Sequence, residues 1–276
     1  MISTRDIKTK IRAVQNIEQI CRAMKTVASI RLRRAEQRLA RARPYRRRLA
    51  DLVARVAAVT QEHPFLRQRP VERTGVVLVT SDRGLCGGYN ANVARQALAI
   101  GGPQQNAVIA IGRKGLGLMR RRGYEIVDSL VPVGGEPRVE AVWAIADRLG
   151  ERFQTGELDR VVLVYSQFLA RARSKVATDI LLPARPQEGA LADAIFEPEL
   201  GKMLPGLMRR YLRNAVTGAV LEASASEHAA RVAAMTAATD NAEEMIRDLT
   251  LDYNKARQAG ITRELTEIVG AAEATI

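Results

Sequence analysis

The stretch from about Glu222 to Gly270 carries no proline across nearly fifty residues, a continuity that restricts the fold more than any other feature of the chain. Small or apolar residues recur at Ala230, Ala233, Ala237, Met245, Leu249, Tyr253, Ala256, Ile261, Leu265 and Ile268, in three- and four-residue steps. That is the period of one face of an α-helix. Helices of globular proteins usually run about 8–20 residues, and a pattern beyond about 25 implies a coiled coil, a membrane span or a helical repeat. Charges throughout the stretch exclude the span.

A second long helix is predicted from Arg5 to about Thr60. Ile7, Ile11, Val14, Cys21, Ala28, Leu32, Ala35, Leu39, Ala42, Leu49, Val53 and Val56 follow a 3.5-residue spacing, interrupted at Glu18, Lys25 and Arg46. Ile17, Ile20, Met24 and Val27 add a neighbouring stripe, so this portion is expected to meet more than one partner. Its length would be roughly 80 Å at the α-helical rise. Pro44 predicts an interruption and a kink, because proline deletes one backbone hydrogen bond and crowds the preceding turn. Residues 1–50 hold fifteen Lys/Arg against three Asp/Glu, a balance of +12, whereas residues 209–276 hold eight against ten, a balance of −2. The basic face is either solvated or matched to an acidic partner.

Between these helices the character changes. His63 to Arg73 (HPFLRQRPVER) reads as a proline-bounded linker. Strand signals follow at Gly75–Thr80, Ala107–Ile111, Glu125–Leu130, Val161–Tyr165 and Val176–Leu182, with helical stretches at Ala91–Leu98, Lys114–Arg122 and Glu140–Phe153. Strand and helix in alternation imply an α/β domain with a largely parallel sheet. The predicted architecture is therefore an α/β domain inserted between two long terminal helices that form an antiparallel coiled coil. Ala229, Ala230, Ala233, Ala234, Ala237 and Ala238 would allow close helix approach.

Little in the chain suggests chemistry. The glycine-rich loop SDRGLCGGYN, from Ser81 to Asn90, could cradle an anion, but it matches neither dinucleotide nor P-loop spacing, and GRKGLG at Gly112–Gly117 is weaker still. No cofactor is expected. His63 and His228 lack metal-ligand neighbours, and His228 reads as a packing residue. Asp240, Glu243, Glu244 and Asp248 read as surface charges of a helix. No catalytic triad, metal site or membrane span is expected. Cys21 and Cys86 stand in unrelated contexts, which suits a reducing compartment.

Three motifs, in order, carry a resemblance to the gamma subunit of the F-type ATP synthase. They are IKTKIRAVQNIEQICRAMKTVA at Ile7–Ala28 with RARPY at Arg41–Tyr45, TSDRGLCGGYNANV at Thr80–Val93, and SEHAARVAAMTAATDNA followed by LDYNKARQAGITRELTEIVGAAEA. Residues 100–215 resemble the family more loosely. Thr26, Thr236, Val232, Ala223 and Arg263 depart from its usual residues, and Thr217 and Gly218 stand where a longer side chain is expected.

The resemblance implies a non-catalytic rotor subunit. Residues 1–60 and 205–276 would pair as the shaft, with 73–195 as a Rossmann-like globular domain. Its partners would be the alpha and beta subunits of the hexameric ring, the epsilon subunit and the c-subunit ring, at the cytoplasmic face of the bacterial membrane. Motif matching puts Met24 and Lys25 where the shaft meets the levers of the beta subunits. Arg257 and Gln258 fall where it meets a beta-subunit catch loop. A basic coiled-coil nucleic-acid-binding protein is the alternative, and a nucleotide-dependent enzyme is a third reading. Sparse aromatics count against the former.

Overall fold

The computed structural model describes residues 4–60, 62–133, 138–170, 173–185 and 199–273. The chain divides into two compact units, Met1–Val27 with Val232–Ile276, and Ala28–Arg231. Two helices contribute to both: α1, Thr4–Val59, of 56 residues, and α5, Leu200–Glu273, of 74 residues.

Within Ala28–Arg231 the sheet is built from β1 (Thr74–Val79), β2 (Asn106–Ile111), β3 (Glu125–Leu130), β4 (Arg160–Ala170) and β5 (Arg173–Leu182), in the order β3-β2-β1-β4-β5. The first four are mutually parallel, and β5 returns antiparallel to β4. Helices α2 (Tyr89–Leu98), α3 (Arg113–Arg121) and α4 (Val139–Gln154) connect the parallel strands. Because alternate side chains point to opposite faces, Val76, Leu78, Val108, Ala110, Val162 and Val164 meet α2 and α3. Val77, Val79, Ile109, Ile111 and Leu163 face α4 together with Val53 and Val56 of α1 and Met208, Leu212 and Val216 of α5. Both faces are covered, which is why the central strands are continuous apolar runs rather than alternating ones. Each fully buried Val, Leu or Ile contributes about 1.5–3 kcal/mol.

Three expectations need correction. Pro44 does not interrupt α1, which runs through it to Val59, close to the predicted end. Ala40, whose carbonyl loses its bond to residue 44, is exposed, so water can satisfy it. The supposed linker is part of the core: Phe65 and Leu66 are buried in a short 3₁₀ turn capped by His63 Nδ1, which accepts from the Phe65 N–H at 3.2 Å. The β4–β5 hairpin extends past its predicted ends because Phe168 packs with Leu32, Ala35, Leu39, Ala225 and Ala229. The expected domain end at residue 195 lies outside the described residues.

The described residues of the other unit are segments of α1 and α5. On α1 the less exposed line runs through Ile7, Ile11, Val14, Glu18 and Cys21 at the predicted spacing, with Thr4, Met24 and Lys25 half-buried as well. On α5 the less exposed line runs through Val232, Met235, Thr239, Ala242, Ile246, Leu249, Tyr253 and Ala256 in alternating three- and four-residue steps, with Ala234, Thr236 and Ala238 half-buried beside its start. The predicted strip is correct from Leu249 to Ala256 but out of phase before that, since Ala233, Ala237 and Met245 are exposed. Ile261, Leu265 and Ile268 are exposed as well.

Candidate functional site

Doubly wound sheets bind ligands in the crevice beyond the carboxyl ends of their strands, where the strand order reverses. Here that point lies between β1 and β4, and the loop Ser81–Asn90 leaves β1 there. The amide at its start and those of the facing α3 are already spent internally. The first amides of α3 donate to the preceding strand and loop: Arg113 N–H to Asp82 Oδ1 at 3.1 Å, Lys114 N–H to the Ser81 carbonyl at 3.0 Å, and Gly115 N–H to Thr80 Oγ1 at 2.8 Å. Gly112, at φ 103°, makes this possible, because a Cβ there would lie 2.0 Å from the Thr80 carbonyl oxygen. The Ser81 N–H is taken by Asn90 Oδ1 at 3.0 Å. Gly112 and Gly115 therefore serve close packing against Thr80, whereas a Cβ at Gly84 or Gly87 would meet nothing within 4 Å, and Gly87, at φ 56°, serves the left-handed turn.

Helix α5 crosses the same crevice. Arg231 donates to the Gly84 carbonyl at 3.2 Å, Tyr89 Oη to the Ala223 carbonyl at 3.3 Å, and Ser226 Oγ to the Ser166 carbonyl at 3.0 Å. Arg231 also reaches Glu227 at 2.8 Å and His228 Nδ1 at 3.3 Å. His228 is buried, as a packing residue should be, and desolvation aided by the Arg231 and Arg31 charges lowers its pKa to about 4. Burial raises the Glu227 carboxyl and the Cys86 thiol. Cys86 and Cys21 are free and buried.

The most elaborate polar cluster was missed from sequence. Glu222, 1% exposed, accepts from Arg43 Nε at 3.1 Å and Nη2 at 3.0 Å, from Arg46 Nη2 at 3.4 Å, and from the Phe168 N–H at 2.9 Å. Arg43 also donates to the Phe168 carbonyl. The only advance sign was an acidic residue inside an alanine-rich helix, opposite an arginine-rich one. Gly218, where a longer side chain was expected, is explained here: a Cβ would sit 2.3 Å from Arg46 Cδ.

The four predicted contact residues all fall in the two-helix unit. Met24 and Lys25 are half-buried on α1, and Arg257 and Gln258 are exposed on α5. Beside the first pair, Ile17, Ile20 and Val27 are each at least half exposed. Glu243 meets Arg22 at 3.0 Å, and Asp240, Glu244 and Asp248 are exposed. Among the described residues no cluster of His, Cys, Asp or Glu could hold a metal, and no helix is long and apolar enough to cross a membrane.

The family model described as ATP synthase matches residues 3–275. The ATP synthase gamma chain of Desulfitobacterium hafniense is 42% identical over 279 residues, covering 99% of each chain. The chain belongs to the ATP synthase gamma-chain family. The gamma chain of Stenotrophomonas maltophilia, 39% identical over 286 residues, covers 99% of this chain and 100% of its own length. Among solved structures, the central stalk and c-ring assembly of Tetrahymena thermophila mitochondrial ATP synthase contains a chain with a TM-score of 0.63 at 26% identity, covering 79% of this chain and 99% of that one. A chain of the Euglena gracilis OSCP, F1 and c-ring assembly shares the fold at a TM-score of 0.69 and 23% identity, covering 99% and 94%. Nothing in these similarities favours the nucleic-acid alternative.

Proposed function

We propose that the chain is the central rotor shaft of an F-type ATP synthase, coupling ion flow through the membrane sector to ATP synthesis or hydrolysis on the beta subunits. The observation that carries this reading is a pair of helices of 56 and 74 residues, far longer than a single domain needs, in a chain that aligns with gamma chains over nearly its whole length. Such a subunit acts by presenting different contacts to each catalytic site as it turns, so its effect is a differential interaction energy and not chemistry. It is non-catalytic in this reading.

In this reading α1 and α5 pair as an antiparallel coiled coil. Supporting it are the three-and-four spacing on each helix and the pairing of rising α1 numbers with falling α5 numbers. Arg43 meets Glu222, and three residues further on Arg46 lies against Gly218, four residues back. Arg22 and Glu243 make a similar cross-helix pair in the two-helix unit. Residues 1–60 and 205–276 form the shaft, and 73–195 the globular domain. The alpha and beta subunits surround the shaft, and the epsilon subunit and c-ring lie at its foot, at the cytoplasmic face of the membrane. Met24, Lys25, Arg257 and Gln258 touch the stationary ring, and the exposed Ile17, Ile20 and Val27 provide apolar surface beside the first two.

Co-expression with the alpha and beta subunits tests the assignment. The chain is expected to co-purify with the ring, and a probe attached to it is expected to turn in steps during ATP hydrolysis. Exclusion from the assembly, or hydrolysis that leaves the probe stationary, would overturn it.

A further inference from the structure

We propose that Glu222 is a positioning residue for torque transfer, clamping α1 and α5 to strand β4 so that turning force in the helices reaches the sheet. The inference rests on the rotor reading and adds to it the point where force crosses between elements. Four N–H donors from two elements converge on one carboxylate, two from Arg43, one from Arg46 and the backbone N–H of Phe168. Through Arg43, which also donates to the Phe168 carbonyl, all three elements are tied in one ring of contacts. One turn further along α5, Ser226 Oγ donates to the Ser166 carbonyl and pins the same strand again.

The surrounding seam explains why a clamp is required. Its α5 side is largely small, with Ala219, Ala223, Ala225 and Ala229 beside Val220 and Leu221, so backbones approach closely and interdigitation is limited. Dispersion and burial hold such surfaces together without strongly opposing a slide or twist along them, because these forces are not directional. Charge-assisted bidentate hydrogen bonds are directional and fix register. The carboxylate is almost wholly buried while the Arg43 side chain is 43% exposed, so the anion is desolvated and its attraction to both guanidinium groups is weakly screened. Gly218 leaves the room through which Arg46 reaches it. The apolar contacts thus supply cohesion, and Glu222 supplies resistance to shear.

The test uses the chain assembled with its alpha and beta subunits, the ring immobilised and a probe attached in the sheet-bearing unit. Glu222→Gln keeps the shape but removes the charge, and Arg46→Met removes one arm while keeping the packing. Both are expected to assemble and hydrolyse ATP near the wild-type rate. Glu222→Gln should raise the angular variance of the stalled probe about twofold, since removing one partner of a buried pair releases the constraint it imposed, and Arg46→Met should raise it less. A purely structural role would lower the melting temperature and leave the variance unchanged; that result overturns the proposal. If Glu222→Gln does not assemble, Arg46→Met decides. If neither assembles, the cluster is a folding requirement and the proposal fails. A wild-type chain that does not rotate defeats the rotor reading instead.

Discussion

His228 lies on α5 with its Nδ1 3.3 Å from the Arg231 guanidinium, and burial with that charge and Arg31 holds its folded-state pKa at about 4. In the unfolded chain a histidine titrates near 6.5, about 2.5 units higher. Between those values the unfolded state takes up a proton that the folded state refuses. Stability therefore falls as pH drops from about 6.5 to about 4, by at most about 3 kcal/mol, and is flat with respect to this group below that. Glu227, raised by burial, has the opposite sign and offsets part of the loss at the acid end. His228→Gln is expected to shrink the drop in urea midpoint between pH 7 and pH 4.5; an unchanged drop would mean the imidazole is not its source. Of the residues taken from motif matching, Arg257 and Gln258 are exposed and Met24 and Lys25 half-buried. Arg231, through Gly84, and Glu222, through Arg43, Arg46 and Phe168, act through partners distant in sequence, which no local pattern displays.

At the scale of the element, α5 shows how a seam is chosen. Alanine is apolar enough to be read as core at almost any phase, so Ala230, Ala233 and Ala237 formed a plausible strip. The less exposed line instead runs through Met235, Thr239 and Ala242, in register with Leu249 and Tyr253. Thr239 spends its hydroxyl on the Met235 carbonyl at 2.8 Å, which permits a polar residue on the buried line. Met235→Ala is expected to cost about 2–3 kcal/mol, in the range for buried Met truncation. Met245→Ala, at a half-exposed site, is expected to change stability by no more than about 0.5 kcal/mol. Equal effects in urea titrations would reject this phase. The strands were easier to locate, since β-branched runs between turn residues signal buried parallel strands; the extension of β4 and β5 depended on Phe168 finding α1 and α5.

At the scale of the whole molecule, the apolar surface left over is the informative quantity. Ile17, Ile20 and Val27 on α1, and Leu251, Ile261, Leu265 and Ile268 on α5, are exposed large side chains. Clusters of this kind mark partner surfaces. Arg257 and Gln258 stand among the α5 set. Arg257→Ala is expected to leave the circular dichroism and melting of the isolated chain unchanged, while lowering ATP-driven ion pumping or assembly of the complex. Normal assembly with normal pumping would remove Arg257 from the contact set.

Sequence periodicity by itself determined that two helices exceed any domain's need, that an α/β sheet lies between them, and which face of α1 is buried. These follow from local repetition: 3.5-residue spacing, two-residue alternation and turn residues act over a few neighbours and are written in order along the chain. Tertiary structure decided the rest. It set the phase of an alanine-rich seam, folded the proline-bounded segment into the core, and consumed the first amides of α3 against Thr80, Ser81 and Asp82. It also laid α5 across the crevice where a ligand would otherwise bind. Each of these depends on a hydrogen-bond partner or a packing surface dozens of residues away, and such pairings exist only once the chain is folded.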